Sequence, residues 1–122
     1  MADLRGFPRG TRYIPIPTPI LGPLLQDIDS MAELKCTLRV LGLVHQRRSK
    51  RTWISLAELV VDPVLLNGLA HEPGQPGEAI RQGIARAVER GTLLQSLQQA
   101  EPLLFVNDEP GRRAIMRLGR GV

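Results

Sequence analysis

Apolar positions along the chain fall into two kinds of block: some recur every three to four residues, and others run without a break. Between residues 30 and 46 (SMAELKCTLRVLGLVHQ), Leu34, Leu38, Leu41 and Val44 fall on one helical stripe, and Met31, Val40 and Leu43 widen it. Ser30 followed by Glu33 has the spacing of a capping box, in which each side chain satisfies the other residue's backbone N–H. So apolar a helix is expected at the centre of the fold. A second stripe, Ile80, Ile84, Ala87 and Val88, predicts a helix over 78–90 with Arg81, Gln82, Ala85, Arg86 and Glu89 facing out. Gly91 is expected to end it, because a helix that turns directly into a strand needs a left-handed residue at its exit. TLLQSLQ and PLLFVN, joined across QAE, predict a β-hairpin. Leu103, Leu104, Phe105 and Val106 are apolar without alternation, so both faces of that strand should be covered. The N-terminal arm, a C-terminal helix or a second subunit could supply the outer cover.

Shorter signals fill in the rest. Pro8, Pro15, Pro17 and Pro19 make residues 1–19 an extended N-terminal arm, with Ile14 and Ile16 pressed onto the core. ILGPLLQDI predicts a short helix starting near Pro23, and TWIS (52–55) a short strand. Ser55 and Glu58 form a second capping box opening LAELVV. Asp62-Pro63 starts a further turn or two of helix. AHEPGQPG (70–77) is a loop by composition. Asn107 or Asp108 should cap a last helix that frays into the tail. The organisation expected is an arm at 1–19, a domain at 20–107 with a loop insert near 62–77, and a C-terminal helix and tail at 108–122. The order of elements is that of a winged helix-turn-helix domain, mainly α with a small antiparallel β-sheet. The charged helix then stands where a recognition helix would, and the hairpin where a wing would.

Charge sharpens this picture. Sixteen Lys and Arg face twelve Asp and Glu, giving +4 and a pI near 10.2, and fourteen of the sixteen cations are arginine. Arginine's planar fork suits phosphate and guanine, although a basic pI is also a common route to solubility. On the 78–90 helix, Arg81, Arg86 and Arg90 would read guanine or phosphate, and Gln82 adenine. The same residues equally suit a solvated face, with Arg86 and Glu89, or Arg90, paired locally. Arg47, Arg48, Lys50 and Arg51 form the densest cluster. They either neutralise phosphates or make a solvated loop at the negative end of the central helix. Arg112, Arg113, Arg117 and Arg120 either touch phosphate or belong to a solubilising tail. In a third reading, Ile115, Met116 and Leu118 pack there on a second subunit.

Other chemistry is sparse. Aromatic residues make up 3% of the chain, so the core must be Leu, Val, Ile and Ala. The single Cys36 cannot form an internal disulfide, which fits a reducing cytoplasm. No apolar run is long enough to span a membrane. Cys36, His45 and His71 lack zinc-site spacing. There is no phosphate loop, paired-carboxylate signature or nucleophile elbow. The expectation is a cytoplasmic protein that is not an enzyme, with no catalytic residue, no metal, no cofactor and no small-molecule substrate.

IPIPTPILGPLLQDIDSMAELKCTLRVLGL, WISLAEL and AIRQGIARAVERGTLL together resemble the N-terminal winged-helix domain of DnaD-like replication proteins, over roughly residues 13–107. The resemblance rests on a proline arm, an AELK helix, an SLAEL helix and an RGTLL exit. It implies a primosome or replication-initiation role, with DNA binding and self-association. The chain differs by its 62–77 insert and by lacking a counterpart of the C-terminal helical DNA-binding domain. The expected function is therefore binding of double-stranded DNA in replication initiation or a related DNA transaction, with a homodimer as the expected assembly. A protein-interaction or dimerisation module on the same fold, or a transcriptional regulator, are the alternatives.

Overall fold

The computed structural model describes residues 6–47 and 50–119. A 3-10 turn at Thr18–Leu21 leads into α1 (Pro23–Asp27), α2 (Met31–Arg47), β1 (Trp53–Ser55), α3 (Leu56–Val60), α4 (Pro63–Gly68) and α5 (Pro76–Arg90). β2 (Leu93–Ser96), β3 (Leu103–Val106) and α6 (Glu109–Gly119) complete the chain. The protein is mainly helical, with one three-stranded antiparallel sheet in the order β1-β3-β2.

Local chemistry sets most of the boundaries. The Ser55 hydroxyl accepts from the Glu58 N–H, and the Glu58 carboxylate reaches back to the Ser55 N–H, so this capping box is complete. Asp62 accepts from the Leu65 N–H at 3.0 Å, with Pro63 in the first helical position. Asp108 caps α6 through the Gly111 N–H at 2.8 Å. Gly91 closes α5 in the left-handed region, at φ 95°. The first box, by contrast, is only half built. Ser30 Oγ accepts from the Glu33 N–H at 3.1 Å, but the Glu33 carboxylate turns away to α5.

Two sequence expectations are corrected. The buried face of α2 is Ala32, Glu33, Cys36, Thr37, Val40, Leu41 and Leu43, while Met31 and Leu38 are exposed. The reason is steric: α2 and α5 cross so closely that a Cβ on Gly83 would lie 2.6 Å from the Ala32 carbonyl oxygen. Small side chains are wanted at such a crossing, so of the expected stripe Met31 and Leu38 are turned outward and Leu34 and Val44 are half-buried, while Val40, Leu41 and Leu43 are buried as expected. Second, residues 62–77 are not loop throughout. Leu65 and Leu69, 2% and 0% exposed, tie α4 into the core, and Lys35 Nζ donates to the Gly68 carbonyl at 2.7 Å. The irregular stretch ends at Gln75, the N-cap of α5, which starts at Pro76, two residues earlier than expected. α6 runs to Gly119 over a surface that it covers, and the tail from Arg120 lies outside the described residues.

That surface is the outer face of the sheet. Ile54, Leu93, Leu104 and Val106 join the core cluster with Val40, Leu59, Ile80, Ile84 and Ala87. Strand register puts Trp53, Phe105 and Leu94 on the other face, beside Ser55, Leu103 and Ser96. Leu103 and Phe105 are nevertheless buried, and α6 packs on β2 and β3 with Ala114, Ile115 and Leu118 half-buried. Its first turn sits tight on the strand end, where a Cβ on Gly111 would overlap the Val106 carbonyl. The four apolar residues of β3 are thus covered on both faces within one chain, and by themselves ask for no second subunit.

Candidate nucleic-acid interface

α5 buries Ala79, Ile80, Gly83, Ile84 and Ala87 and exposes Arg81, Gln82, Ala85, Arg86 and Glu89, the outer face expected from the periodicity. Arg81 and Arg86 take part in no ion pair among the described residues. Gln82 lies between them on the exposed side.

Arg90 has a different occupation. Its Nε donates to Glu33 Oε2 at 2.5 Å and its Nη2 to Oε1 at 3.1 Å, a two-pronged bond. The Glu33 side chain is 1% exposed and that of Arg90 27%. The bond to Glu33 raises the Arg90 pKa, with Asp27 and Asp29 adding to it. Arg90 is therefore a tie between α5 and α2, an engagement that Arg81 and Arg86 on the same helix do not share. Glu33, Arg86, Glu89 and Arg90 line a cleft of about 450 Å³ at this end of α5.

The cationic loop after α2 is also largely engaged. Arg47 Nη1 donates to Glu58 Oε2 at 2.6 Å, and Arg51 Nη2 to Glu58 Oε1 at 2.8 Å. Arg51 also stacks over the Trp53 ring at 4.4 Å. One carboxylate on α3 thus holds both ends of the loop. Lys50 is exposed, and Arg48 lies outside the described residues. Arg47 and Arg51, like Arg90, are thus held by a carboxylate of their own chain, here the half-buried Glu58. Along α2, Glu33, Lys35, Arg39 and Arg47 reach α5, α4, the Asp62 cap and α3 respectively. No spacing rule could have paired residues this far apart in sequence.

The acids in these ties are shifted. Burial pushes Glu58 up, but hydrogen bonds from Arg47 and from the Ser55 backbone and hydroxyl, with the Arg51 charge, outweigh it and hold Glu58 below its ordinary value. Burial likewise pushes Asp62 up, and bonds from Arg39 and the Leu65 N–H bring it down. Both folded-state values lie below the unfolded ones, so the unfolded chain binds more protons in acid. Stability should be full above the unfolded values, 4.5 for Glu58 and 3.8 for Asp62, and be lost as pH falls through the folded ones. Thermal melts should show a level midpoint from neutrality down to about pH 5 and a fall below about pH 4.5. In Arg39→Ala the fall should be shallower, and an unchanged acid profile there would deny Asp62 its part.

Cys36 is no nucleophile. Burial and then the Asp62 charge push its thiol up to about 12, and its Sγ donates to the Ile80 carbonyl at 3.7 Å. Among the described residues no group of three His, Cys, Asp or Glu could hold a metal ion, and no helix is long and apolar enough to cross a membrane. A cavity of about 350 Å³ lies where the arm passes α2, between Ile16, Pro17, Leu41, Val44, His45 and Pro110. Comparison of the chain with protein-family models, curated proteins and solved structures found no match.

Proposed function

We propose that this chain is a winged-helix domain that binds double-stranded DNA through α5, in replication initiation or a related transaction of the kind the DnaD-like resemblance implies. The element order α2-β1-α3-α4-α5-β2-β3, the strand order β1-β3-β2 and the left-handed exit at Gly91 support the fold assignment. The observation that carries the function is the outward trio Arg81, Gln82 and Arg86, on a helix whose other face is fixed by the α2 crossing. Recognition helices present base contacts from their N-terminal part, and Arg81 and Gln82 stand in the second turn of α5. The acids Asp27, Asp29, Glu33 and Glu89 gather at the other end, around Arg90, where Arg86 also stands.

Fluorescence anisotropy with a labelled duplex at 50 and 200 mM salt tests this. Binding should be in the micromolar range and weaken with salt. Arg81→Ala with Arg86→Ala should lower affinity about tenfold and reduce the salt slope by about 2, one unit for each phosphate left without its arginine. A double variant that binds like wild type would show that α5 is not the reader.

An interaction module on the same fold is favoured by a different observation: Met31 and Leu38 on α2, with Leu21 and Leu25 on the preceding turn and helix, are all exposed. A weight-average mass that climbs with concentration in sedimentation equilibrium would favour that reading.

A further inference from the structure

We propose that the outer face of α6 is a second contact surface for duplex DNA, separate from α5. α6 turns Gly111, Ala114, Ile115 and Leu118 toward the sheet and leaves Arg112, Arg113, Met116 and Arg117 exposed. The one ion pair on this face among the described residues, Arg113 with Glu109, is 3.9 Å long between side chains 61% and 75% exposed, so solvent screens it. Arg112 uses Nη1 to hold the Asn107 carbonyl and side chain. The face therefore carries three arginines against Glu109. With Arg90 tied to Glu33, the outer face of α5 carries Arg81 and Arg86 against Glu78 and Glu89. The helix on the far side of the sheet is thus the more electropositive of the two.

Its position gives that charge a use. α5 packs into the core with one face of the sheet, and α6 covers the other, so the two helices lie on opposite sides of the sheet. α6 also ends at the β2–β3 turn, where Gly119 lies beside Gln98. That turn, Leu97 to Glu101, has no Lys or Arg of its own. Any phosphate approaching the hairpin tip from this side meets Arg117 and Arg113, one helical turn apart. Duplex DNA fits better than a lipid surface, because the apolar side of α6 is already spent on the sheet and only Met116 is left outward. Guanidinium groups on a rigid helix suit a dense row of phosphates.

Arg112→Gln, Arg113→Gln and Arg117→Gln together test the surface in the full chain, with the same labelled duplex. All three side chains are exposed, so the thermal midpoint should fall by no more than a few degrees, the loss of the exposed Arg112–Asn107 bonds. Affinity at 50 mM salt should fall about tenfold and the salt slope by about 2–3, and both changes should recur in the Arg81→Ala, Arg86→Ala background. Replacing the same three positions by Lys should keep the wild-type slope, which a merely structural role would not explain. A triple Gln variant with wild-type affinity and slope overturns the proposal, whatever the α5 variant does. If the α5 variant binds like wild type while the α6 variant is weakened, the α5 reading fails and the α6 surface stands.

Discussion

Gly83→Ala should lower the melting temperature by roughly 5–10 °C, although alanine is the better helix former. A Cβ at this position would stand 2.6 Å from the Ala32 oxygen, 2.7 Å from its carbonyl carbon and 3.0 Å from Cys36 Sγ. Two of the three are backbone atoms of α2, so no rotamer change can clear them, and α2 or α5 has to move. Alanine for glycine inside a helix gains about 1 kcal/mol, whereas forcing an extra carbon into a packed contact costs about 1–3 kcal/mol. The most extensive helix–helix contact in the fold is opened at the same time, which puts the cost at the upper end and leaves a net loss of about 1–2 kcal/mol. For a domain of this size each kcal/mol is worth about 4–6 °C. Gly77→Ala is the control in the same helix: its nearest neighbour outside the helix is the Val60 carbonyl at 3.8 Å, an ordinary contact. That variant should melt at or slightly above the wild-type temperature. A Gly83→Ala chain as stable as Gly77→Ala would mean that the two helices do not cross this closely. Because α5 carries Arg81 and Arg86, the displaced helix should also bind duplex DNA more weakly.

This crossing marks the boundary of what the sequence can tell. Elements set by near neighbours are legible: the Ser55–Glu58 box, the Asp62-Pro63 start, the glycine exit at Gly91 and the hairpin each depend on residues a few positions apart. The outward face of α5 is legible too, since its small and apolar residues leave only one side for Arg81, Gln82 and Arg86. The buried stripe of α2 is legible only in part. Counting apolar residues favours the leucines at 34, 38 and 41, and Leu41 is buried, but the approach of α5 selects for size, so Leu38 is exposed and Ala32, Cys36 and Thr37 are what fits against Gly83. Charge misleads for a similar reason. Arg47, Arg51 and Arg90 look like open cations in the sequence because their partners, Glu58 and Glu33, sit at 7 to 57 residues' distance. Glu33 is especially hard to place, since its spacing from Ser30 offers a complete local role that the folded chain fills only by half. Conversely, α6 gains importance from the sheet face it covers, which no local pattern announces.

Breaking the Glu33–Arg90 tie from one side should be far worse than removing both ends. Arg90→Met leaves the Glu33 carboxylate 1% exposed in a seam between α2 and α5 with its two-pronged partner gone. A buried charge without a partner is strongly destabilising, whereas an apolar pair of similar volume in its place is often neutral or better. The urea midpoint of Arg90→Met should therefore drop by on the order of 1 M. Glu33→Met should drop it less, because Arg90, at the rim, can turn its guanidinium to water. Glu33→Met with Arg90→Met should return close to wild type, so the cycle shows strong coupling. Equal and additive losses would mean that the pair is an incidental contact. The double variant also separates structure from recognition. Arg90 spends its Nε and Nη2 on Glu33, so once stability is restored, affinity for the labelled duplex and its salt slope should match wild type. If affinity falls in the stable double variant, Arg90 exchanges Glu33 for DNA on binding, and the reading surface extends to the C-terminal end of α5.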